Sequence, residues 1–409
     1  MAYGFLPYWS DPTDTPWDRL THVACFSAEL NGDGTLGNAR GWPWTGTINA
    51  ARSNGVRVHL TVTNFSPSDL LGMLDSPSSR TRAIDTIVSA ADSGGADGVC
   101  LDFEGVTTNG WAALLPPFVE DLRAALRAVD PDAEVVIAVP AVNYGDRWPL
   151  ASLAAVSDYL FLMGYDYRGP WSSTTGPSAP LLSPGLSVTR SLDEDYGAVI
   201  VDYPDRLLLG MPLYGNTWRT SSAAPNAAAL DHISSTRLFS VRDALSGASP
   251  LFDAESQTPF LVEETRTGFT QTWYDDERSI GLKIDAAEDR RLGGIGFWAL
   301  GYASPDDPVW QIVAEASFES ACRRDCLADI TSSGANPGED GFGVPDGNVD
   351  VADLTYFVEL WLSSEAEADL TTDGVNPGTR GYGTPDGVVS ITDLTFYVEF
   401  WITACTELN

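Results

Sequence analysis

The stretch from Asp97 to Glu104, DGVCLDFE, alternates apolar and polar residues with a period of two. Such alternation is typical of a β-strand, on which residues two apart share one face. Asp102 and Glu104 are therefore predicted to point the same way, roughly 6.5 Å apart along the strand. Glu104 precedes Gly105 and is expected to end the strand. Two carboxyl groups crowded in a cleft of low dielectric cannot both ionise easily, so one of them can act as an acid at neutral pH.

The same pair has a structural explanation. Asp102 and Glu104 could be structural acids of a barrel strand, or they could lie on a solvated edge. Acids that point into a barrel nevertheless need a reason, because an unpaired buried charge is costly. The octet therefore favours a catalytic pair.

Strand-like and helix-like segments alternate along the first 320 residues. The strand-like segments are Tyr3–Trp9, His22–Leu30, Val56–Thr63, Asp97–Glu104, Glu134–Pro140, Ser157–Tyr165, Arg206–Tyr214 and Gly293–Leu300. The helix-like segments are Thr47–Ser53, Arg80–Ser93, Trp111–Val129, Val188–Val201 and Pro308–Ala316. This alternation predicts a parallel sheet. Eight such units predict a (β/α)8 TIM barrel over residues 1–320, whose active site lies at the C-terminal ends of the strands.

An insertion interrupts this rhythm between the seventh and eighth strand-like segments, at about residues 217–270. Within it, Thr220–Ala229 is rich in Ser, Ala and Pro and shows no period, whereas Phe260–Thr272 is strand-like. The barrel is therefore predicted to carry extra structure beside its last strand.

The octet resembles the active-site strand of glycoside hydrolase family 18, the chitinase family, whose pattern is Asp-Gly-x-Asp-x-Asp-x-Glu. The fixed positions match except one, where Cys100 replaces the first of two inner Asp residues. Met163–Asp166 resembles the Met-x-Tyr-Asp of the family's sixth strand, and Gly293–Trp298 resembles its eighth strand, which ends in Trp. The resemblance covers about the first three quarters of the chain.

The resemblance implies a role for each site residue and no catalytic cofactor. Glu104 would be the general acid and then the base, with the substrate's own 2-acetamido oxygen as nucleophile. Asp102 would hydrogen-bond the acetamido N–H and stabilise the cationic ring. Tyr165 would donate to the acetamido carbonyl, supported by Asp166. The sugar is expected to stack on Trp298 and to meet Met163, Tyr214, Tyr8, Trp9 and Asn64.

Cysteine is sparse, and Cys100 is the main departure from the family pattern. A thiol is a weak donor and is usually neutral. Its presence therefore affects the expected cycling of Asp102 and the pH optimum more than the role of Glu104. Cys25 and Cys100 are expected to be buried free thiols, whereas Cys405 could pair with Cys322 or Cys326.

Charge and hydropathy exclude several classes of partner. The net charge of −34 argues against binding to nucleic acid or to an anionic membrane. No apolar run approaches the ~18 residues of a membrane span. An uncharged polysaccharide, bound cations or a saline habitat are all compatible with this charge.

The last residues, 327–409, contain a duplicated unit, with repeats at about 329–362 and 369–402. Asp329-Ile-Thr331 recurs as Asp369-Leu-Thr371, an offset of 40 residues (369 − 329). The same offset relates three further matches, which begin at Asn336, Pro345 and Asp353.

Each repeat has oxygen-bearing residues spaced as in an EF-hand calcium loop. The predicted ligands are Asp329, Thr331, Asp346, Asn348, Asp350 and Asp353 in the first loop, and Asp369, Thr371, Asp386, Val388, Ser390 and Asp393 in the second. Insertions at Ser333–Val344 and Asp373–Thr384 leave the middle ligands open. The unit resembles a dockerin, a small α-helical EF-hand-type module, which implies two Ca²⁺ ions and a cohesin-like protein partner. Gly/Asp-rich turns without metal are the alternative.

These features together predict a secreted or cell-surface glycoside hydrolase that cleaves β-linked, chitin-like N-acetylglucosamine polymers. Weak calcium sites suit the outside of cells, so we expect a signal peptide to have been removed, because none precedes the first strand-like segment. Two alternatives remain open. One is cleavage of peptidoglycan or an N-glycan core, since Leu60–Asn64 looks like wall-acting bacterial relatives. The other is a sugar-binding barrel with little or no catalysis.

Overall fold

The computed structural model describes residues 1–105, 109–245, 247–316, 351–364, 368, 370 and 387–398. Contacts divide the chain into two compact units, Met1–Phe318 and Glu319–Asn409.

The strands of the first unit are β1 Ala2–Pro7, β2 His22–Glu29, β3 Arg57–Asn64, β4 Gly98–Phe103, β5 Glu134–Val139, β6 Tyr159–Leu162, β7 Leu207–Pro212, β8 Tyr214–Thr220, β9 Ala229–Arg237, β10 Leu251–Asp253, β11 Thr258–Thr265, β12 Gly268–Trp273 and β13 Gly294–Trp298. Eight of them close a parallel barrel in the order β1-β13-β7-β6-β5-β4-β3-β2. The predicted (β/α)8 barrel is therefore confirmed. Because all eight strands run the same way, their C-terminal ends meet at one rim.

Helices cover the outside of the barrel. They are α1 Thr45–Ser53, α2 Pro67–Asp75, α3 Pro77–Gly94, α4 Leu115–Val129, α5 Leu150–Val156, α6 Val188–Arg190, α7 Gly197–Asp202, α8 Leu238–Ala244, α9 Glu277–Glu288 and α10 Val309–Glu315. Short 3₁₀ turns occur at Pro12–Asp14, Trp17–Arg19, Asn109–Ala113 and Pro204–Arg206. Capping residues in the sequence explain where three of these helices begin. Ser66 and Ser76 each cap a helix that has Pro in its first turn, and Asp276 forms a capping box with Ser279.

Two predicted elements differ most from those observed. The helix expected at Val188–Val201 is interrupted by a π-helical turn at Ser191–Asp195, which separates α6 from α7. The strand expected at Arg206–Tyr214 ends at Pro212, because Leu213 leaves the barrel ladder and Tyr214 begins a new sheet.

That new sheet is the insertion. Five antiparallel strands run in the order β10-β11-β12-β8-β9, so the insertion spans Tyr214 to Trp273 and is wider than predicted. Its own small core contains Trp218, Phe260 and Trp273, and the last two rings stack with centroids 4.3 Å apart. The segment without period, Thr220–Ala229, connects β8 to β9.

The second unit has a helix α11 at Val351–Ser363 and a helical segment over 391–398. The rings of Phe357 and Tyr397 are buried and stack with centroids 3.9 Å apart, nearly parallel. The two rings form a small core together with Ala368. Among all the described helices, none is long and apolar enough to cross a membrane.

Candidate active site

A cleft of about 1370 Å³ opens at the C-terminal rim of the barrel. All ten residues predicted for catalysis and sugar binding line it: Tyr8, Trp9, Asn64, Asp102, Glu104, Met163, Tyr165, Asp166, Tyr214 and Trp298. They come from different strands, which the barrel brings together at one end. The structure thus gathers the whole predicted set in one place.

The acid pair lies at the end of β4. Asp102 is buried on the strand, opposite Thr63 of β3, and Glu104 follows the strand, with its N–H bound to the Asn64 carbonyl at 3.1 Å. Among the described residues, none forms a hydrogen bond with Asp102 Oδ1, although this atom is buried. Burial raises the pKa of Asp102 well above its ordinary value, and the charge of Glu104 raises it further. The pair therefore binds a proton more tightly than two ordinary carboxyl groups would, and either carboxyl can hold it.

Glu104 is accessible from the cleft, but the surrounding walls remove much of its hydration. This desolvation raises the pKa of Glu104, and the nearby negative charge of Asp166 raises it further. A carboxyl whose pKa is raised in this way keeps its proton to higher pH and is better suited to proton donation and return. The geometry of Glu104 at the strand end thus fits a general acid.

The segment after β6 places two further groups over the acids. β6 ends at Leu162, earlier than the predicted Tyr165, because two tight turns follow: Gly164 N–H binds the Leu162 carbonyl and Tyr165 N–H binds that of Met163. Gly164 is required here, since a Cβ would lie 2.7 Å from the Gly210 carbonyl oxygen. The turns bring Tyr165 and Asp166 into the cleft.

Asp166 is held by hydroxyl groups. It adopts a left-handed φ of 60°, which Asp tolerates better than most residues. The Tyr214 hydroxyl donates to Asp166 Oδ1, Ser178 Oγ lies 3.3 Å from the same oxygen, and the Asp166 N–H donates to Ser178 Oγ at 3.0 Å. Burial raises the pKa of Asp166, and these two hydroxyl groups oppose the increase. Ser178 was missed from the sequence, where its Ser/Pro-rich loop carries no recognisable pattern.

Tyr165 is buried, and its ring meets that of Tyr214 edge-on at 6.4 Å. Burial, with the nearby Tyr214 and acids, raises the pKa of Tyr165 well above its ordinary value. Its hydroxyl therefore keeps its proton and can donate a hydrogen bond.

Aromatic side chains form the floor and one wall of the cleft. Trp298 is partly exposed and packs against Phe26, Phe5 and Trp9, with centroid distances of 4.8, 5.7 and 6.5 Å. Tyr8 and Trp9 are 45% and 42% exposed, more than plain barrel packing would leave them. These rings offer apolar faces of the kind on which sugar rings stack.

Asn64 lines the cleft, but the backbone engages both ends of its amide. Its Nδ2 donates to the Leu30 carbonyl at 2.8 Å, and its Oδ1 accepts from the Ser66 N–H at 2.8 Å. These bonds hold the turn between β3 and α2. A contact between Asn64 and substrate stays a prediction.

Cys100 and Cys25 are free and buried, as expected. Burial raises the pKa of the Cys100 thiol far above its ordinary value, with a smaller contribution from Asp102. A thiol with such a raised pKa stays protonated and is a poor nucleophile. Cys100 therefore affects the site mainly because it replaces a carboxylate that would otherwise lie beside Asp102.

A second cluster of ionisable groups lies at the opposite, N-terminal rim and was not foreseen. Glu134 Oε2 accepts from His22 Nε2 and His59 Nε2, both at 3.0 Å, and lies 3.2 Å from Arg57 Nε. Burial alone would raise the pKa of Glu134, but the two histidine hydrogen bonds outweigh it and hold the pKa well below its ordinary value. These three groups would suit a divalent cation, yet Arg57 already provides the positive charge. The cluster is best explained as a structural network.

Four of the predicted calcium ligands lie among the described residues: Asp353, Val388, Ser390 and Asp393. Asp353 and Asp393 are both buried. Asp393 accepts the N–H groups of Leu370 and Ser390, both at 2.7 Å. The other predicted ligands lie outside the described residues: Asp329, Thr331, Asp346, Asn348, Asp350, Asp369, Thr371 and Asp386. Cys322, Cys326 and Cys405 also lie outside them.

Comparison with known proteins agrees with this site. A family described as glycosyl hydrolases family 18 matches residues 3–303. A putative sporulation-specific glycosylase, YdhD, of Bacillus subtilis is 28% identical over 59% of this chain and 56% of its own length. Nod factor hydrolase protein 1 of Medicago truncatula is 28% identical over 58% of this chain and 65% of its own. The chain thus spans a little over half the length of these relatives.

A solved structure gives the same fold. The GH18 chitinase from Cycas revoluta in complex with (GlcNAc)3 aligns with a TM-score of 0.69 at 21% identity, over 77% of this chain and 99% of that protein. The resemblance read from the octet and from the strands around it is confirmed. By its family match over residues 3–303, its closed barrel and the acid pair at the end of β4, this chain belongs to glycoside hydrolase family 18.

Proposed function

We propose that this protein hydrolyses β-linked N-acetylglucosamine polymers, of which chitin is the simplest, with retention of configuration. The observation that carries the proposal is the buried Asp102 oxygen without a partner beside Glu104, in a cleft floored by Trp298. An orphaned polar atom in a sugar-sized cleft is explained if the substrate provides its partner. The acetamido N–H of the substrate is the matching donor.

The first half of the reaction uses one shared proton. When the sugar binds, Glu104 holds that proton and Asp102 accepts the acetamido N–H. Glu104 then gives its proton to the glycosidic oxygen as the bond from C1 to that oxygen breaks. The acetamido carbonyl oxygen forms a new bond to C1, which closes a positively charged ring that Asp102 stabilises.

The second half reverses these roles. Glu104, now ionised, accepts a proton from water, and the water oxygen attacks C1 from the face that the leaving group vacated. The bond between C1 and the acetamido oxygen breaks, and the product keeps the β configuration. Tyr165 orients the acetamido carbonyl throughout, with Asp166 held behind it by Tyr214 and Ser178.

The test is product analysis on three substrates: chitin oligomers, peptidoglycan and an N-glycan. We expect cleavage of at least one, and Glu104→Gln should lower the rate by at least the ~100-fold typical of losing general acid–base catalysis. Asp69→Asn, which changes another cleft-lining acid, is the control and should keep most activity. Equal rates in the Glu104→Gln variant and the parent would overturn the assignment.

The same three substrates also distinguish the proposed function from its two alternatives, a different glycan substrate and a sugar-binding barrel. Cleavage restricted to peptidoglycan or to the N-glycan core would identify a different substrate for the same chemistry, and the similarity to a sporulation-specific glycosylase supports the former. Binding without turnover in the parent would indicate a sugar-binding barrel.

We propose further that the second unit binds two Ca²⁺ ions and a cohesin-like partner, and that the protein works outside the cell. Asp353 and Asp393 support the first part, because they are buried acidic residues at matching positions of the two repeats, 40 residues apart (393 − 353). Carboxylate oxygens are the ligands that Ca²⁺ prefers. Asp393 also accepts two backbone N–H groups.

A further inference from the structure

A positively charged side chain of the inserted sheet reaches the same cleft. Arg237 is the last residue of β9, and it pairs in register with Tyr214 of β8. Neighbouring strands lie about 4.8 Å apart, so the backbone of Arg237 runs directly beside that of Tyr214. The Tyr214 hydroxyl donates to Asp166. Arg237 thus belongs to the wall next to the proposed catalytic acids, and its side chain lines the cleft.

Aromatic contacts fix the guanidinium of Arg237. It lies over the ring of Tyr302, 4.8 Å from the centroid. The Tyr302 hydroxyl in turn accepts from Trp9 Nε1 at 3.2 Å, and the Tyr302 carbonyl accepts from the Phe239 N–H at 2.9 Å. The planar group is therefore held between the inserted sheet and the aromatic wall of the cleft, without using its own donors.

The two arginines that line the cleft are paired differently. Arg40 pairs with Glu29. Arg237 makes no ion pair or side-chain hydrogen bond with any residue that the structure describes, and it is only partly exposed. The N–H donors of this cleft-lining guanidinium are therefore available to a ligand.

We propose that Arg237 binds a carboxylate carried by the substrate, so that the preferred glycan is an N-acetylglucosamine polymer in which a neighbouring sugar bears an acid, as in peptidoglycan. This inference rests on the proposed function. A planar fork of donors matches a carboxylate in two-point contact, and stacking on an aromatic ring keeps the fork oriented. A neutral chitin chain would leave the charge unused.

The overall charge of the protein does not prevent this recognition. Distant surface charges are screened beyond about 8 Å at physiological ionic strength. The acids nearest the cleft centre, Asp102, Glu104 and Asp166, have raised pKa values and carry less negative charge than their number suggests. Arg237 can therefore dominate the potential at its own end of the cleft.

The test compares two glycans of equal length in the full chain, a neutral chitin oligomer and a peptidoglycan-derived oligomer with free carboxylates. We expect the ratio of kcat/KM for the acidic over the neutral glycan to fall at least 10-fold in Arg237→Gln, chiefly through KM, and to recover partly in Arg237→Lys. Arg266→Gln is the matched control, because Arg266 is an exposed arginine of the same inserted sheet that does not line the cleft. It should leave the ratio unchanged.

A binding measurement keeps this inference separate from the proposed function. Calorimetry in the Glu104→Gln background, with and without Arg237→Gln, should show at least 10-fold weaker binding of the acidic glycan when Arg237 is changed. Amidation of the carboxylates should remove that difference. Equal losses on both glycans, or no preference for the acidic glycan in the parent, would overturn the role of Arg237. Absence of hydrolysis with intact acidic-glycan preference would overturn only the proposed function.

Discussion

Asp166 sets the acidity of Glu104 from across the cleft. Its negative charge raises the pKa of Glu104, in addition to the larger effect of desolvation. Glu104 must be protonated to start the reaction, so its pKa defines the alkaline limb of the kcat/KM profile of the free enzyme. Removing the charge of Asp166 lowers that pKa, and Glu104 then loses its proton at lower pH.

We therefore predict that Asp166→Asn moves the alkaline limb to lower pH, whatever it does to the maximal rate. The measurement is the pH profile of kcat/KM for parent and variant on the same oligomer. Asp69→Asn serves as the control for loss of a cleft charge and should not move the limb. An unchanged limb in Asp166→Asn would show that the two acids are not electrostatically coupled.

Individual site residues could be predicted from the sequence where strand periodicity or a motif fixes their position. Asp102 and Glu104 share a face because side chains alternate along β4, and Tyr165 and Asp166 were placed by their motif. Ser178 and Arg237 could not be found in this way. Each lies in a segment without a recognised motif, and each acquires its position from contacts between elements distant in the sequence.

The N-terminal ends of β2, β3 and β5 are joined by the Glu134 cluster. The side chains of His22 and His59 hydrogen-bond one oxygen of Glu134, and the Arg57 guanidinium forms an ion pair with the same oxygen. Hydrogen bonds to a charged group contribute about 1.5–3 kcal/mol when one partner is removed. The cluster should therefore stabilise the barrel at the rim opposite the cleft.

We predict that Glu134→Gln lowers the free energy of unfolding by about 2 kcal/mol near neutral pH. Because the pKa of Glu134 is depressed in the folded protein, its contribution is present above the unfolded pKa of about 4.3 and is lost as the pH falls through the lower folded value. The difference between parent and variant should thus shrink below about pH 4. Denaturant unfolding at several pH values measures it.

The stability of the parent protein also depends on pH through His22. Burial lowers the pKa of His22, so the unfolded chain binds its proton more readily and stability falls below about pH 6.5. Glu120→Gln, on the exposed face of α4, is the control and should follow the parent at every pH. A Glu134→Gln variant as stable as the parent near pH 7 would contradict the structural role.

The elements differ in how far they could be predicted. The barrel strands are apolar and regularly spaced, so their number and order followed from pattern alone. The sheet of the insertion did not, because β9 is mostly polar and contains no buried residue. The break between α6 and α7 depends on a π-helical turn, which hydrophobic spacing does not reveal.

For the whole molecule, calcium is expected to act on one unit only. The duplicated loops concentrate carboxylates that repel each other, and a net charge of −34 adds to that repulsion. Calcium bound to the folded state would stabilise it by mass action. The proposed chemistry of the barrel uses no metal, so its rate should not depend on calcium.

We predict that the full chain, stripped with chelator, takes up two Ca²⁺ ions per molecule in calorimetry while its glycan hydrolysis stays unchanged. The double variant Asp353→Asn, Asp393→Asn should weaken uptake, whereas Glu359→Gln on the exposed face of α11 should not. One ion per chain would indicate that the insertion disables one loop. No uptake at millimolar calcium would remove the calcium proposal and leave the duplication unexplained.

The central claim is that the substrate's acetamido oxygen is the nucleophile and that Glu104 moves the proton. It is tested most directly by proton NMR of the products formed from an N-acetylglucosamine oligomer at early times, before the anomers equilibrate. Two successive displacements at C1 predict the β-anomer as the first product, formed at least ~100-fold more slowly by the Glu104→Gln variant. An α-anomer appearing first would contradict the mechanism, since it requires a single displacement by water.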